Sequence, residues 1–268
     1  MVKLVTSSSN PEIKSIRALR EKKYRDESSL FFVEGIRPVM EAYSQRAQFT
    51  RIVYCPSLLR SQAANDFIRQ ISASQENLLL QVDEKTFGWL TFKEGPQGLA
   101  AVIRQRWNPL EILSKEQGIW VALDSVQDPG NLGSILRTLD AVGGKGIILL
   151  DHGTDAYHPT AVRASMGAIF TMRIIKTDHE QFISWQSGSQ LPCYAAVCDQ
   201  GLDYQAVNYP PSLVVLMGSE QKGLNQDFVQ ICEGLIRIPM RGRVDSLNLA
   251  NAASVILYEV YNQQRRKE

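Results

Sequence analysis

Asp124-Ser-Val-Gln-Asp-Pro-Gly-Asn131-Leu-Gly-Ser-Ile-Leu-Arg137-Thr138 follows the apolar run Trp120-Val-Ala-Leu. It reads as a strand end, a turn through Asp128-Pro-Gly and a helix starting at about Asn131. Leu132, Ile135, Leu136 and Leu139 recur at i, i+3, i+4 and i+7, the spacing of one buried helix face. Asn131, Ser134, Arg137 and Thr138 then share the polar side, so packing does not require them. Two later stretches repeat the plan: Leu216-Met-Gly218-Ser-Glu220-Gln-Lys-Gly223-Leu224 and Ile238-Pro-Met-Arg-Gly-Arg-Val-Asp-Ser246-Leu-Asn248-Leu-Ala250-Asn-Ala. Three such strand ends can meet at the carboxyl edge of one sheet, where open α/β folds bind ligands. The arrangement describes an enzyme built from loops.

The second stretch leaves the run Leu213-Val-Val-Leu-Met217 through Gly218 and Gly223, which let the backbone turn and approach a ligand closely. It matches neither GxGxxG nor GxxxxGK[ST], which removes the main sequence support for dinucleotide chemistry and nucleotide hydrolysis. In the third stretch Ser246 is placed to cap the last helix, with Asn248 in its first turn. That helix carries Ala250, Ala252, Ala253, Ser254, Ile256, Leu257 and Val260 on nearly all sides, so it should be largely buried. Together the stretches offer an arginine, a glutamate, two asparagines and a serine, without an evident Ser-His-Asp set, thiolate-imidazole pair or carboxylate dyad. Such an inventory suits chemistry by positioning and hydrogen bonding better than hydrolysis.

Outward from these stretches, residues 118–268 alternate uniformly apolar strands with helices, as parallel strands covered on both faces should. Arg104-Gln-Arg-Trp-Asn-Pro-Leu-Glu-Ile-Leu-Ser-Lys-Glu-Gln117 breaks the alternation, so a linker is expected over 107–117, with a helical turn around Leu110 to Leu113. Residues 1–106 alternate again. Asn10-Pro11-Glu12 supplies a cap, a first-turn proline and a dipole-matching acid for a helix with Ile13, Ile16 and Leu19 inside. Strands are expected at Leu30–Val33, Arg51–Cys55, Leu78–Val82 and Gly98–Ile103, with a helix from Leu58 to Ile71. This is a small α/β domain of its own.

Hydrophobic content of 44% with 21% charged residues describes folded rather than disordered material. No apolar stretch approaches the roughly 20 residues of a membrane-spanning helix, and the N-terminus lacks a signal-peptide core, so a cytoplasmic protein is expected. Cys55, Cys193, Cys198 and Cys232 form no CxxC pair and do not combine with His152, His158 or His179 at zinc-site spacing. Buried reduced thiols and the absence of a metal site are expected. The net charge of +1 conceals an asymmetry: Lys3, Lys14, Arg17, Arg20, Lys22, Lys23 and Arg25 face only Glu12 and Glu21 in the first 25 residues. Local basic charge of this kind serves polyanion docking, or is simply a solvated helix face.

At these residues the sequence resembles the SpoU (TrmH-like) RNA ribose 2′-O-methyltransferases of the SPOUT superfamily. The resemblance is carried by DPGNLGSILRT, MGSEQKGL and IPMRGRVDSLNLANAAS, in the same order and spacing as that family's motifs, and by Val162-Arg163-Ala-Ser165-Met-Gly167 between the first two. The part from Ser9-Asn-Pro-Glu-Ile-Lys14 through Phe32-Val-Glu-Gly35 to Gln97-Gly98 resembles the substrate-binding domain that many of these enzymes carry.

The resemblance implies a C-terminal α/β domain with a deep trefoil knot around a parallel sheet, a rare exception to unthreaded chains. It implies S-adenosylmethionine bent against the chain around Leu216, Met217, Gly218, Ile238, Met240 and Leu247, and a homodimer in which the closing helix takes part. Carried over by motif, Arg137 is the catalytic residue, Asn131 orients it or the cofactor, and Glu220, Ser246 and Asn248 complete the site. RNA is expected to dock on the N-terminal domain through Lys14, Arg17, Arg20, Lys22 and Lys23.

The reaction implied is methyl transfer to a ribose 2′-oxygen, with ribosomal RNA favoured over transfer RNA as substrate. A guanidinium holds its proton far above neutral pH, which makes an arginine an awkward general base. A clamp on the neighbouring phosphate that stabilises developing charge on the oxygen suits it better. A catalytically inactive ribosome-assembly factor and a base-nitrogen methyltransferase are the competing readings.

Overall fold

The computed structural model describes residues 2–91, 95–151, 153–219 and 223–267. They fall into two compact units. One is Met1–Gln105 with Tyr157–Arg163, and the other is Arg106–Ala156 with Ala164–Glu268.

In the first unit the chain runs β1 (Lys3–Val5), α1 (Pro11–Ala18), α2 (Lys22–Ser28), β2 (Leu30–Glu34), α3 (Ile36–Ser44), β3 (Phe49–Tyr54), α4 (Gln62–Ser74), β4 (Leu79–Val82), α5 (Glu84–Leu90) and β5 (Leu99–Arg104). The strands form one mixed sheet in the order β1-β4-β3-β5-β2, parallel through β1, β4 and β3 and antiparallel across β5. Helix α1 begins as its sequence dictates: the Asn10 side chain accepts the Glu12 amide at 2.8 Å, and Pro11 occupies the first turn. Ile13, Ile16 and Leu19 enter a core with Phe32, Val53, Leu80, Phe87 and Val102. Helix α4 starts at Gln62 rather than Leu58, because Ser61 caps it through the Ala64 amide.

The second unit opens on the short 3₁₀ turn Leu110–Ser114. It continues as β6 (Ile119–Asp124), α6 (Pro129–Ala141), β7 (Gly146–Leu150), α7 (Pro159–Ala164, mostly grouped with the first unit), α8 (Ala168–Thr171), β8 (Arg173–Thr177), α9 (His179–Gly188), β9 (Cys193–Ala196), β10 (Leu202–Asp203), β11 (Leu213–Met217), α10 (Gln226–Ile231), β12 (Gly234–Arg237) and α11 (Leu249–Arg265). Its sheet runs β10-β12-β9-β11-β6-β7-β8, parallel at every pairing. Every residue of β6, β7 and β11 is buried, which accounts for their unbroken apolar sequences.

Strand order sets where a ligand can enter. From β6 the chain steps outward to β7 and β8, then returns to β9, and only later does β11 fill the place between β9 and β6. The direction of winding therefore changes beside β6, and the crevice of such a sheet lies at the carboxyl ends of the strands flanking that change. Those ends carry Asp124 on β6 and Gly218 after β11. In the register Leu123 pairs with Met217, so Asp124 and Gly218 come next on the two strands.

In the second unit two further helix starts differ from the sequence expectation. Helix α6 begins at Pro129, two residues before Asn131, because the Asp128 carboxylate accepts the amides of Gly130 at 2.6 Å and Asn131 at 2.9 Å. Helix α11 is capped by Asn248, not Ser246: the Asn248 side-chain oxygen accepts the amides of Ala250 at 3.0 Å and Asn251 at 3.4 Å. Its backbone, at φ −53° and ψ 141°, lies outside the helix. Nor is α11 buried all round; Leu249, Ala250, Ala253, Ile256, Leu257 and Val260 form one inward stripe, while Tyr258 is 46% exposed.

Cys55 and Cys193 are buried as expected, whereas Cys198 is exposed and Cys232 only partly covered. A hydrogen bond with Cys232 and burial push the Cys193 thiol well above the ordinary range, which keeps it from acting as a thiolate. Among the described residues no helix is long and apolar enough to cross a membrane, and no cluster of His, Cys, Asp and Glu could hold a metal.

Candidate active site

Asn131 and Asn248 start far apart in sequence and meet in space. The Asn248 amide nitrogen donates to the Asn131 side-chain oxygen at 3.0 Å. The amide oxygen of Asn248 is meanwhile held by the first turn of α11, so its donor group has one direction left. Further along the same helices, the Thr138 and Ser254 hydroxyls bond at 3.0 Å, and Ser254 also donates to the Ala250 carbonyl at 2.8 Å. Helices α6 and α11 are thus fastened at two levels on the polar side of α6 that the first motif predicts.

Arg137, on that helix, stays exposed. No hydrogen bond or ion pair engages its guanidinium among the described residues. An arginine left unpaired beside two fastened helices is available to a phosphate or a developing oxyanion. Ser246 lies exposed in the preceding loop, and Glu220 lies outside the described residues.

The six residues tied to the cofactor divide in two. Leu216 and Met217 are buried within β11, so only their backbone can face a ligand. Gly218 allows that approach, since a Cβ there would run into the Gly223 carbonyl. Ile238 and Met240 are half-buried and Leu247 is 36% exposed, in a loop without regular structure. None of the backbone amides from 238 to 247 bonds another backbone group among the described residues. Apolar side chains beside unused backbone donors and acceptors fit a flat heterocycle with a hydrogen-bonding edge. The adenine of S-adenosylmethionine is of that kind.

Of the basic residues expected to dock RNA, two are occupied elsewhere. The Arg20 guanidinium donates to the carbonyls of Trp89, Leu90 and Thr91 at 3.3, 3.0 and 2.7 Å and so closes the end of α5. Burial, then the neighbouring Arg17, lowers its pKa. Arg17 lies 3.7 Å above the Trp89 ring. Lys14, Lys22 and Lys23 remain exposed, with Lys23 only 3.9 Å from Glu27 in a weak pair.

Sequence reading passed over one group. Asp124, quoted as the start of the first motif, is 4% exposed and accepts from the Asn225 amide at 3.3 Å and the Ser125 hydroxyl at 2.9 Å. It also lies 2.9 Å from Nε2 of His179. A carboxylate closing a wholly apolar strand is the signal that was available, because a buried charge requires partners.

Comparison with known proteins follows the same two parts of the chain. Residues 118–258 match the model of the SpoU rRNA Methylase family. The chain belongs to that family. It is an enzyme of RNA methylation, and residues 10–101 match the MRM3-like substrate binding domain. The chain is similar to an AdoMet-bound rRNA methyltransferase from Sinorhizobium meliloti, with 37% identity and a TM-score of 0.89 over 97% of this chain and 98% of that one. It is similar to the 23S rRNA (guanosine(2553)-2′-O)-methyltransferase RlmP of Bacillus subtilis (strain 168), 26% identical over 97% of this chain and 99% of the relative. A third relative is the 23S rRNA (uridine(2479)-2′-O)-methyltransferase of Streptomyces viridochromogenes, 29% identical over 90% of this chain and 85% of its own length.

Proposed function

We propose that this SpoU family chain methylates a ribose 2′-hydroxyl of large-subunit ribosomal RNA, with S-adenosylmethionine as donor, at the carboxyl edge of its parallel sheet. The observation that carries the reading is the Asn248–Asn131 bond at the start of the helix that also presents Arg137, exposed and unengaged among the described residues. Relatives whose names specify 23S rRNA ribose methylation align over nearly the whole chain and support the substrate class. When bound, S-adenosylmethionine supplies an electrophilic methyl on a sulfonium sulfur. Leu216, Met217 and Gly218 would hold it through backbone, and Ile238, Met240 and Leu247 through apolar cover.

The chain's own residues then act on the RNA. Arg137 clamps the phosphate next to the target ribose and stabilises negative charge growing on the 2′-oxygen. Asn131, oriented by Asn248, fixes the geometry, and the hydroxyl proton passes to water or a phosphate oxygen. Ser246 and Glu220 complete the set by motif. Residues 1–106 bind substrate, 107–117 link, and 118–268 carry the chemistry. Lys14, Lys22 and Lys23 make the phosphate contacts of the first part, with Arg17 and Arg20 shaping the surface around them.

The reading includes a trefoil knot, supported by the late insertion of β11 between β9 and β6. It also includes a homodimer through α11, supported by the exposed ring of Tyr258 beside the small residues of that helix. With ribosomal RNA as substrate, the enzyme works in the cytoplasm. Incubation with labelled S-adenosylmethionine and unmodified ribosomal RNA, followed by mapping, tests the proposal. One methylated ribose in the large-subunit RNA is expected; label on a base nitrogen, or none, contradicts it.

A further inference from the structure

His179 opens α9 and stands between two carboxylates. Its Nε2 is 2.9 Å from Asp124 Oδ1, and its Nδ1 is 2.8 Å from Asp151 Oδ2. Asp124 ends β6, and Asp151 directly follows β7, the neighbouring strand. Each carboxylate also accepts from other donors: Asp124 from the Asn225 amide and the Ser125 hydroxyl, Asp151 from the His179 amide at 3.2 Å. Each ring nitrogen of His179 thus faces a carboxylate oxygen. The edge of the ring contact is completed by Phe228 of α10, 4.7 Å away and nearly perpendicular.

The backbone around this cluster is shaped for it. Ser125 and Asp151 take positive φ, 54° and 51°, conformations that non-glycine residues adopt only when their surroundings hold them. The cluster reaches the cofactor loop through Asp124 Oδ2. That oxygen holds the amide of Asn225, the residue directly after the Gly218–Leu224 stretch, whose own side chain caps α10 through the Asp227 amide at 3.1 Å. One end of the stretch is fixed by β11. The other end is fixed by Asp124, and Asp124 by His179.

We infer that His179, bridging Asp124 and Asp151, is a positioning residue that fixes the Asn225 end of the stretch following β11, where the cofactor is expected. The inference rests on the functional reading above. Its consequence falls on cofactor affinity, because Asp124 holds the residue directly after the Gly218–Leu224 stretch. Replacing His179 by Gln leaves one carboxylate facing an amide oxygen. The loop then loses a charge-assisted anchor, which should weaken S-adenosylmethionine binding about tenfold. Asp151→Asn, which touches only the outer partner, should weaken it less, by roughly threefold.

A measurement on the full chain tests this. Calorimetry with S-adenosylmethionine alone should show the weakened Kd in His179→Gln, with kcat at saturating cofactor within about twofold of the parent. Unchanged affinity in folded His179→Gln, or a loss confined to kcat, overturns the inference. A parent chain that binds no S-adenosylmethionine instead overturns the functional reading on which the inference rests.

Discussion

Arg20, Arg25 and Arg51 of the first unit and Arg137 of the second are used in opposite ways. In the first unit Arg25 is 1% exposed and donates to the carbonyls of Leu19 and Arg20, both at 2.7 Å, while Arg20 closes α5 and Arg51 pairs with Glu12. In the second unit Arg137 stands exposed on a helix whose Asn131 and Thr138 are fastened to Asn248 and Ser254. A charge-rich stretch thus need not be a binding surface, since its arginines can be internal ties between chain segments. An arginine with no tie, on a rigid support, is the one reserved for a substrate. The comparison predicts that arginine substitutions will separate cleanly into losses of stability and losses of rate.

The largest effect should come from Arg137→Ala, with kcat falling roughly 10²- to 10³-fold, as when a transition-state charge stabiliser is removed. Its melting temperature should stay near the parent's, because no internal partner is lost. Arg25→Ala should do the reverse. Two buried carbonyls lose their donor, at a cost of roughly 3 kcal/mol. Chemical denaturation would read that loss, and the activity per folded molecule should be unchanged. If Arg25→Ala instead slowed catalysis without loss of stability, the division between the two regions would fail.

Asn248→Asp sharpens the second half of the comparison. A carboxylate still caps α11, but it can no longer donate to Asn131. A roughly tenfold fall in kcat with helix stability preserved is expected. An equal fall in stability and rate would mean that Asn248 acts only as a cap. Smaller again is neutralising Lys14, Lys22 and Lys23 together, which should flatten the log–log salt dependence of RNA affinity by about two. No change in that slope would move the docking surface off this helical region.

The smallest effect concerns pH. Hydrogen bonding from Arg173, at 2.8 Å, lowers the Glu116 pKa. A depressed carboxylate contributes stability above its unfolded pKa and loses it as pH falls through the folded value. Glu116→Gln should therefore lower the melting temperature slightly at neutral pH and leave the acid value little altered, which lessens the acid-side drop.

Much of this was legible from sequence because the second sheet is covered on both faces. Burial forces β6, β7 and β11 into unbroken apolar runs, and their ends expose the three motifs. Less legible were elements whose stability comes from distant partners. Helix α2 has no side-chain cap, and its buried residue is the charged Arg25, so no apolar stripe announces it. Strand β10 is two residues long, with Leu202 largely exposed, and exists because β12 offers it an edge. Strand β1 is a three-residue edge beside β4.

Within the site, residue types and polar faces were readable, but capping was not. Ser246 and Asn248 are both good caps, and only the path of the 238–248 loop decides between them. The Asp124–His179–Asp151 cluster joins residues up to 55 apart, a pairing that strand order creates and that no local pattern displays. Arg17 and Arg20 read as surface charge because the segment they tie down, at Trp89 to Thr91, lies about 70 residues away.

The central claim is that Arg137 works by charge and position rather than by taking a proton. The most direct measurement is the pH–rate profile at saturating RNA and cofactor for the parent enzyme and Arg137→Lys. The account predicts profiles of the same shape, displaced downward in the variant, because any titration belongs to other groups. A titration in the parent that disappears in Arg137→Lys, with RNA affinity unchanged, would contradict it.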